Sequence, residues 1–136
     1  MTDLVITAAS VQKTDTTSIK EGVAGVAILA GQYIVRDPTT RRMVLGDGDV
    51  AVTDIANSGV ALNSAAIGQP VDYAWDGDVN MGAVLAAGRV YVLSSTPGAI
   101  APVADLASGD FTLVLGIART TSVLALHPQT AEAAIA

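Results

Sequence analysis

His127 is the only histidine in the chain, so acid–base or nucleophilic catalysis through an imidazole would have to start there. It stands before Pro128 at the end of a β-prone run, and no Gly-x-Ser-x-Gly elbow exists to present a nucleophile to it. A structural histidine is therefore expected. Two Asp-Gly-Asp sites, Asp47 to Asp49 and Asp76 to Asp78, offer carboxylates that calcium could use. Neither continues into the Asp-x-Asp-x-Asp-Gly series with its distal glutamate, and Asp-Gly between β-prone runs reads instead as a tight turn. Gly46-x-Gly48 lacks the further residues of a phosphate-cradling loop. Tyr73 and Trp75, two residues apart, could stack on a sugar ring. In a chain with five aromatic residues, core packing is the expectation for both. Arg41 and Arg42, the one adjacent basic pair, could grip a partner's carboxylates or simply solvate a hairpin end. The expected sets of catalytic, cofactor-binding and metal-ligating residues are therefore empty.

The elements that would position these residues are strands. From Gly22 onward, short β-prone runs are separated by turn residues at close intervals, the pattern of an all-β sandwich, jelly roll or barrel-like domain. Gln32 to Arg36 and Arg42 to Leu45 flank Asp37-Pro38-Thr39-Thr40, a predicted hairpin. Val71, Tyr73 and Trp75 alternate with Asp72, Ala74 and Asp76, which predicts a strand with Trp75 on the buried face. Further strands are expected over Val50 to Ile55, Val79 to Leu85, Arg89 to Leu93, Phe111 to Ala118 and Ser122 to His127. Residues 1–20, rich in Thr, Ser, Asp and Lys, read as an extended arm, 21–128 as the β domain, and 129–136 as a tail able to form a helical turn. An echo runs through the domain. Ala27-Ile28-Leu29-Ala30-Gly31 returns as Val84-Leu85-Ala86-Ala87-Gly88, and Gly59-Val60-Ala61 as Gly116-Ile117-Ala118, both at an offset of 57. Two related β units, packed face to face or sharing a barrel, would produce it.

Composition excludes several function classes. Hydrophobic residues make up 51% of the 136, but 24 are alanine and 17 valine. Alanine buries little area, so such a core gains less than the percentage implies, and a partner is expected to cover the rest. The net charge of −6, with seven scattered Lys and Arg, speaks against nucleic acid. No cysteine is present for disulfides or thiolate metal sites. The opening Met1-Thr2-Asp3-Leu4 lacks the regions of a secretory signal, and no apolar run approaches the ~18 residues of a membrane span. Synthesis in a cytoplasm and no membrane association are expected.

The series Gly22-Val23-Ala24-Gly25, Ala30-Gly31-Gln32-Tyr33-Ile34-Val35, Ser58-Gly59-Val60-Ala61, Ala66-Ile67-Gly68-Gln69-Pro70-Val71 and Ala86-Ala87-Gly88-Arg89-Val90-Tyr91-Val92 resembles the bacteriophage capsid cement or head decoration proteins. The likeness spans about residues 22–120. It implies a small β-rich structural protein without enzymatic activity, made in the host cytoplasm and carried on the outer surface of the phage head. There it would bind the major capsid protein and bridge neighbouring subunits as a homotrimer or homodimer. In this setting Leu4, Val5 and Ile6 are expected to add a strand to a neighbour's sheet edge, and Arg41 and Arg42 to contact a partner. The alternative is a carbohydrate-binding or adhesive β module with Trp75 on its surface, and a further rival is a small hydrolase built on His127.

Overall fold

The structure is a computed structural model that describes residues 3–47, 57–94, 96–103 and 111–134. The strand expected at Val50 to Ile55 and the turn at Asp47 to Asp49 fall wholly or mostly outside these residues. The fold is all-β: a single domain whose antiparallel sheet curls into a half-barrel. A 3-10 turn at Ala8–Ser10 is followed by β1 (Gln12–Lys13), β2 (Ser18–Val23), β3 (Tyr33–Arg36), β4 (Met43–Leu45) and β5 (Ser58–Ala61). Then come β6 (Pro70–Asn80), β7 (Val90–Leu93), β8 (Ile100–Pro102), β9 (Phe111–Ala118) and β10 (Val123–Ala134). The main sheet runs β4-β3-β5-β6-β10-β9-β7-β8, and β1 and β2 each pair with β6.

That order reads the same from both ends, because the sequence echo is a structural repeat. Tyr33 pairs with Val60 and Ile34 with Gly59; 57 residues on, Val90 pairs with Ile117 and Tyr91 with Gly116. The β3–β4 pairs Ile34↔Leu45, Val35↔Val44 and Arg36↔Met43 return as the β7–β8 pairs Tyr91↔Pro102, Val92↔Ala101 and Leu93↔Ile100. Even the entry turns match: Gly31 N–H donates to Ala61 O and Gly88 N–H to Ala118 O, both at 2.8 Å. Gly31 and Gly88 each hold a positive φ at the third position of their turns, a conformation that side chains with a Cβ resist. The halves share one sheet, joined edge to edge where β6 meets β10, with Leu126 opposite Gly77.

Two apolar clusters flank this frame. The larger contains Tyr33, Val60, Ala74, Met81, Leu93, Leu113, Leu115 and Leu124; the smaller contains Ala24, Ile28, Ile34, Met43, Ala61, Val71 and Tyr73. Neighbouring residues of β3, β5 and β6 alternate between them, so this part of the sheet is buried on both faces, and all four residues of β5 are buried. Within the core, the Tyr33 and Ser58 hydroxyls share a 2.7 Å hydrogen bond. Burial pushes the Tyr33 phenol above its ordinary range, against the opposing effect of the Ser58 bond. Since the folded state holds this proton more tightly than the unfolded chain, stability is undiminished below about pH 10 and falls as the pH rises above it. Thermal unfolding across that range is expected to show the decline in the native protein and a shallower one in Tyr33→Phe. Ser58→Ala, which removes the partner of a buried hydroxyl, is expected to cost about 1–3 kcal/mol at neutral pH.

Five expectations are corrected. Residues 3–20 do not stand off as an arm: Val11 is buried, Leu4, Ile6 and Ala8 pack on the larger cluster, and β1 and β2 lie along β6. The threonines that made this stretch look polar are anchors, since the Thr14 and Thr17 hydroxyls both donate to the Asp78 carbonyl. Asp76-Gly77-Asp78 is not a reversal but a bend inside the eleven-residue β6. Strand partners on either side, β2 before and β10 after, override the local turn signal, and Gly77 supplies the bend with φ +88°. The expected strand at Val79 to Leu85 accordingly survives only as the last residues of β6. Trp75 is not in the core. Ser18 pairs with Asp76 and Ile19 with Ala74, so Trp75 is the extra residue of a bulge, the alternation slips by one, and Ala74 takes the buried place. Finally, the tail is not helical up to Ala134, because β10 continues against β9 with Thr130↔Leu113 and Ala134↔Phe111.

Candidate functional site

The repeat shows where the chain departs from its own symmetry. In the second half, Ala118 is followed by a tight return, with Arg119 N–H donating to Val123 O. The corresponding pairs are Val60↔Ala74 and Ala61↔Tyr73 in the first half, Ile117↔Ala125 and Ala118↔Leu124 in the second. The offset thus falls from 57 to 51, so the first half carries six extra residues between β5 and β6. These residues fold back onto the stretch leading from β2 to β3. Ile28 and Ala65 exchange two 2.9 Å backbone hydrogen bonds, Ala24 N–H donates to Gln69 O, and Gly68 N–H donates to Ala24 O. The Ser64 hydroxyl accepts from Ala30 N–H.

The product is a ribbon of two hydrogen-bonded loops, joined at the antiparallel bridge between Ile28 and Ala65, with matching ends. In Leu29-Ala30-Gly31-Gln32 and in Ala66-Ile67-Gly68-Gln69, the first N–H donates to the glutamine side-chain oxygen at 2.9 Å. Each turn is closed by the glutamine N–H bonding back to the first carbonyl. Ala24, Ile28 and Ala65 face inward and form part of the smaller cluster. Val23, Leu29 and Ile67 face outward, 41%, 58% and 66% exposed, beside exposed Ala27, Ala66 and Pro70. No charged residue occurs in 22–35 or 55–71. Exposed apolar side chains carried on two charge-free segments, which are held together by backbone hydrogen bonds, are suited to docking on another protein surface. Reading the sequence residue by residue missed Leu29 and Ile67. The signal available in the sequence was the absence of charge over 22–35 and 55–71, which 90–104 shares and which therefore did not single these segments out.

The sequence-predicted partner residues lie elsewhere. Leu4 and Ile6 turn inward, leaving Val5 86% exposed. Arg41 and Arg42 are exposed in the β3–β4 hairpin, which forms as expected: Asp37 N–H donates to Arg42 O, and the Asp37 carboxylate accepts from Thr39 and Thr40 N–H. Arg41 adopts φ +60° there, and the Arg42 Cβ lies near Gly25 at the margin of the ribbon.

The chemistry-bearing side chains form no converging set among the described residues. His127 Nδ1 lies 3.1 Å from Asp76 Oδ1, both side chains substantially exposed. Ser18 stands opposite Asp76 in the β2–β6 register, so the aspartate lies between serine and histidine, whereas a nucleophilic triad needs the imidazole in the middle. Arg119 Nε contacts Asp78 Oδ1 at 2.9 Å on the same strand. Trp75 carries the Lys20 ammonium 4.6 Å above its ring centroid, while Tyr73 is buried, so the two do not form a joint stacking platform. A shallow cleft of about 460 Å³ is lined by Val11, Gln12, Lys13, Ile19, Asn63 and Asp72, among others. Asn63 is committed to the backbone there, accepting from Asp72 N–H at 2.7 Å. Comparison with known proteins returns no matching family model, no matching curated protein and no matching solved structure.

Proposed function

We propose that this chain is a structural docking protein that decorates a bacteriophage head, sitting on the outer surface of the shell, binding the major capsid protein and bridging neighbouring subunits. The observation that carries the reading is the charge-free ribbon of Val23, Leu29 and Ile67 displayed on a duplicated, hydrogen-bonded β frame. The segments that resemble decoration proteins lie in this frame: Ala30 to Val35, Ala66 to Val71 and Ala86 to Val92 each comprise a glycine turn and the strand entry that follows. In this role the protein performs no turnover. Burying Leu29 and Ile67 against a shell subunit would contribute about 1.5–3 kcal/mol each, a useful increment when many copies act together. Association with itself, as a homotrimer or homodimer, belongs to the same reading.

The test is direct. Purified protein mixed with phage heads stripped of surface proteins is expected to co-sediment with them and to raise their melting temperature, as linkage requires of a ligand of the intact shell. Protein left in the supernatant, with head melting unchanged, overturns the proposal. One observation favours a second reading, a carbohydrate-binding module: the exposure of Trp75 between Ala74 and Asp76. Quenching of Trp75 emission by oligosaccharides, together with indifference to heads, would select it.

A further inference from the structure

The first residues of the chain occupy a prepared seat. β8 is the last strand of the sheet, paired with β7 on one side. On its other side Leu4 N–H donates to Ile100 O at 2.8 Å. The Asp3 carboxylate accepts from the Ser94 hydroxyl. Two residues on, Ile6 rests against Gly31: a Cβ on that glycine would lie 2.6 Å from Ile6 Cγ2 and 3.0 Å from Val11 Cγ2. Gly31 therefore leaves room that Ile6 fills. Leu4 and Ile6 both pack on the larger cluster while Val5 between them faces solvent, the alternation of a strand read by an edge and two apolar seats.

The attachment is light. Among the described residues, the Leu4 bond is the one backbone hydrogen bond recorded between 3–6 and the rest of the chain. Behind it lies the turn at Thr7 to Ser10, closed by Ser10 N–H to Thr7 O and exposed at Thr7, Ala9 and Ser10.

We propose that Asp3–Ser10 is exchanged between copies of this chain, each seat on β8 and Gly31 being filled by the segment of a neighbour when copies lie close together. Nothing in the seat distinguishes its own segment from an identical one. The choice is set by effective concentration: the short tether favours the chain's own segment in dilute solution, and crowding favours a neighbour's. Exchange of an identical element is a low-cost route to association because it creates no new contact surface. This inference stands independently of the shell-docking reading.

The chain has no cysteine, so single cysteines give unique labels. Val5→Cys carries a donor dye in one population; Val103→Cys, exposed just beyond β8, carries an acceptor in the other. Energy transfer between the populations is expected to be absent in dilute solution and to rise as protein approaches the order of 1 mM, where neighbours match a short tether's effective concentration. Adding Ile6→Asp to the donor chain is expected to abolish the transfer, as is an excess of the synthetic peptide of residues 3–10. Circular dichroism confirms that each variant is folded. Transfer that never appears, or that persists through both Ile6→Asp and the competing peptide, overturns the exchange. Neither result depends on whether heads are bound.

Discussion

Alanine at Gly59 or Gly116 is expected to destabilise the protein by about 3–5 kcal/mol, a large part of the roughly 5–15 kcal/mol that holds a typical domain together. The reason is steric. A Cβ on Gly59 would fall 2.0 Å from the carbonyl oxygen of Ala74, and one on Gly116 2.0 Å from that of Ala125. Both obstacles are backbone, so no side chain can swing aside; β5 must part from β6, or β9 from β10. The two costs should be similar, because these are equivalent positions of the repeat. Gly68→Ala is the control: nothing lies within 4 Å of its added carbon, so only the strain of φ +86° remains, about 1–2 kcal/mol. Urea unfolding of the three variants gives the comparison. A Gly59→Ala midpoint equal to that of the native protein would show that the strands are not packed this closely.

Acidic residues on the ribbon should separate docking from folding. Leu29→Glu with Ile67→Glu replaces two side chains that are mostly in solvent, so unfolding is expected to move by no more than about 0.5 kcal/mol per site. Binding to stripped heads is expected to fall at least ~100-fold, near 3 kcal/mol, since each carboxylate would have to be desolvated against an apolar partner surface. Arg41→Ala with Arg42→Ala, at the margin of the ribbon, is expected to cost less than ~10-fold, the size typical of solvated rim charges. Sedimentation titrations with all three proteins decide the matter. Full affinity in the Leu29 and Ile67 variant would remove the ribbon from the interface, and a larger loss in the arginine variant would place the hairpin at its centre.

What was legible in the sequence was local or repeated. The hairpin at Asp37 to Thr40 follows from proline and an aspartate whose side chain bonds its own turn, and β9 coincides with the strand expected at Phe111 to Ala118. The offset of 57 was visible as glycines and small residues because those positions admit little else: Gly31 and Gly88 by φ, Gly59 and Gly116 by contact with the next strand. What was not legible depended on partners distant in the chain. The bulge that exposes Trp75 exists only in the pairing of β2 with β6, and Gly77 reads as a hairpin until both halves of its strand have found neighbours. The alanine-rich tail could form a helical turn but is too short to hold one alone, and up to Ala134 it is held extended by β9. The ribbon was hardest of all, since neither of its segments has a meaning until the six additional residues are seen to return to Ile28.

Counting on from the equivalent pairs, Asp76 of the first half corresponds to His127 of the second, and these two side chains face each other across the seam. In two identical half-length chains this place would set a residue against its own twin: carboxylate against carboxylate, or imidazole against imidazole. Here the meeting is between unlike groups, His127 Nδ1 and Asp76 Oδ1 3.1 Å apart, a contact that two like halves could not make at this place. A protein severed between Asn80 and Val90 should reassemble from its pieces in one pairing, and mixtures of like fragments should stay apart.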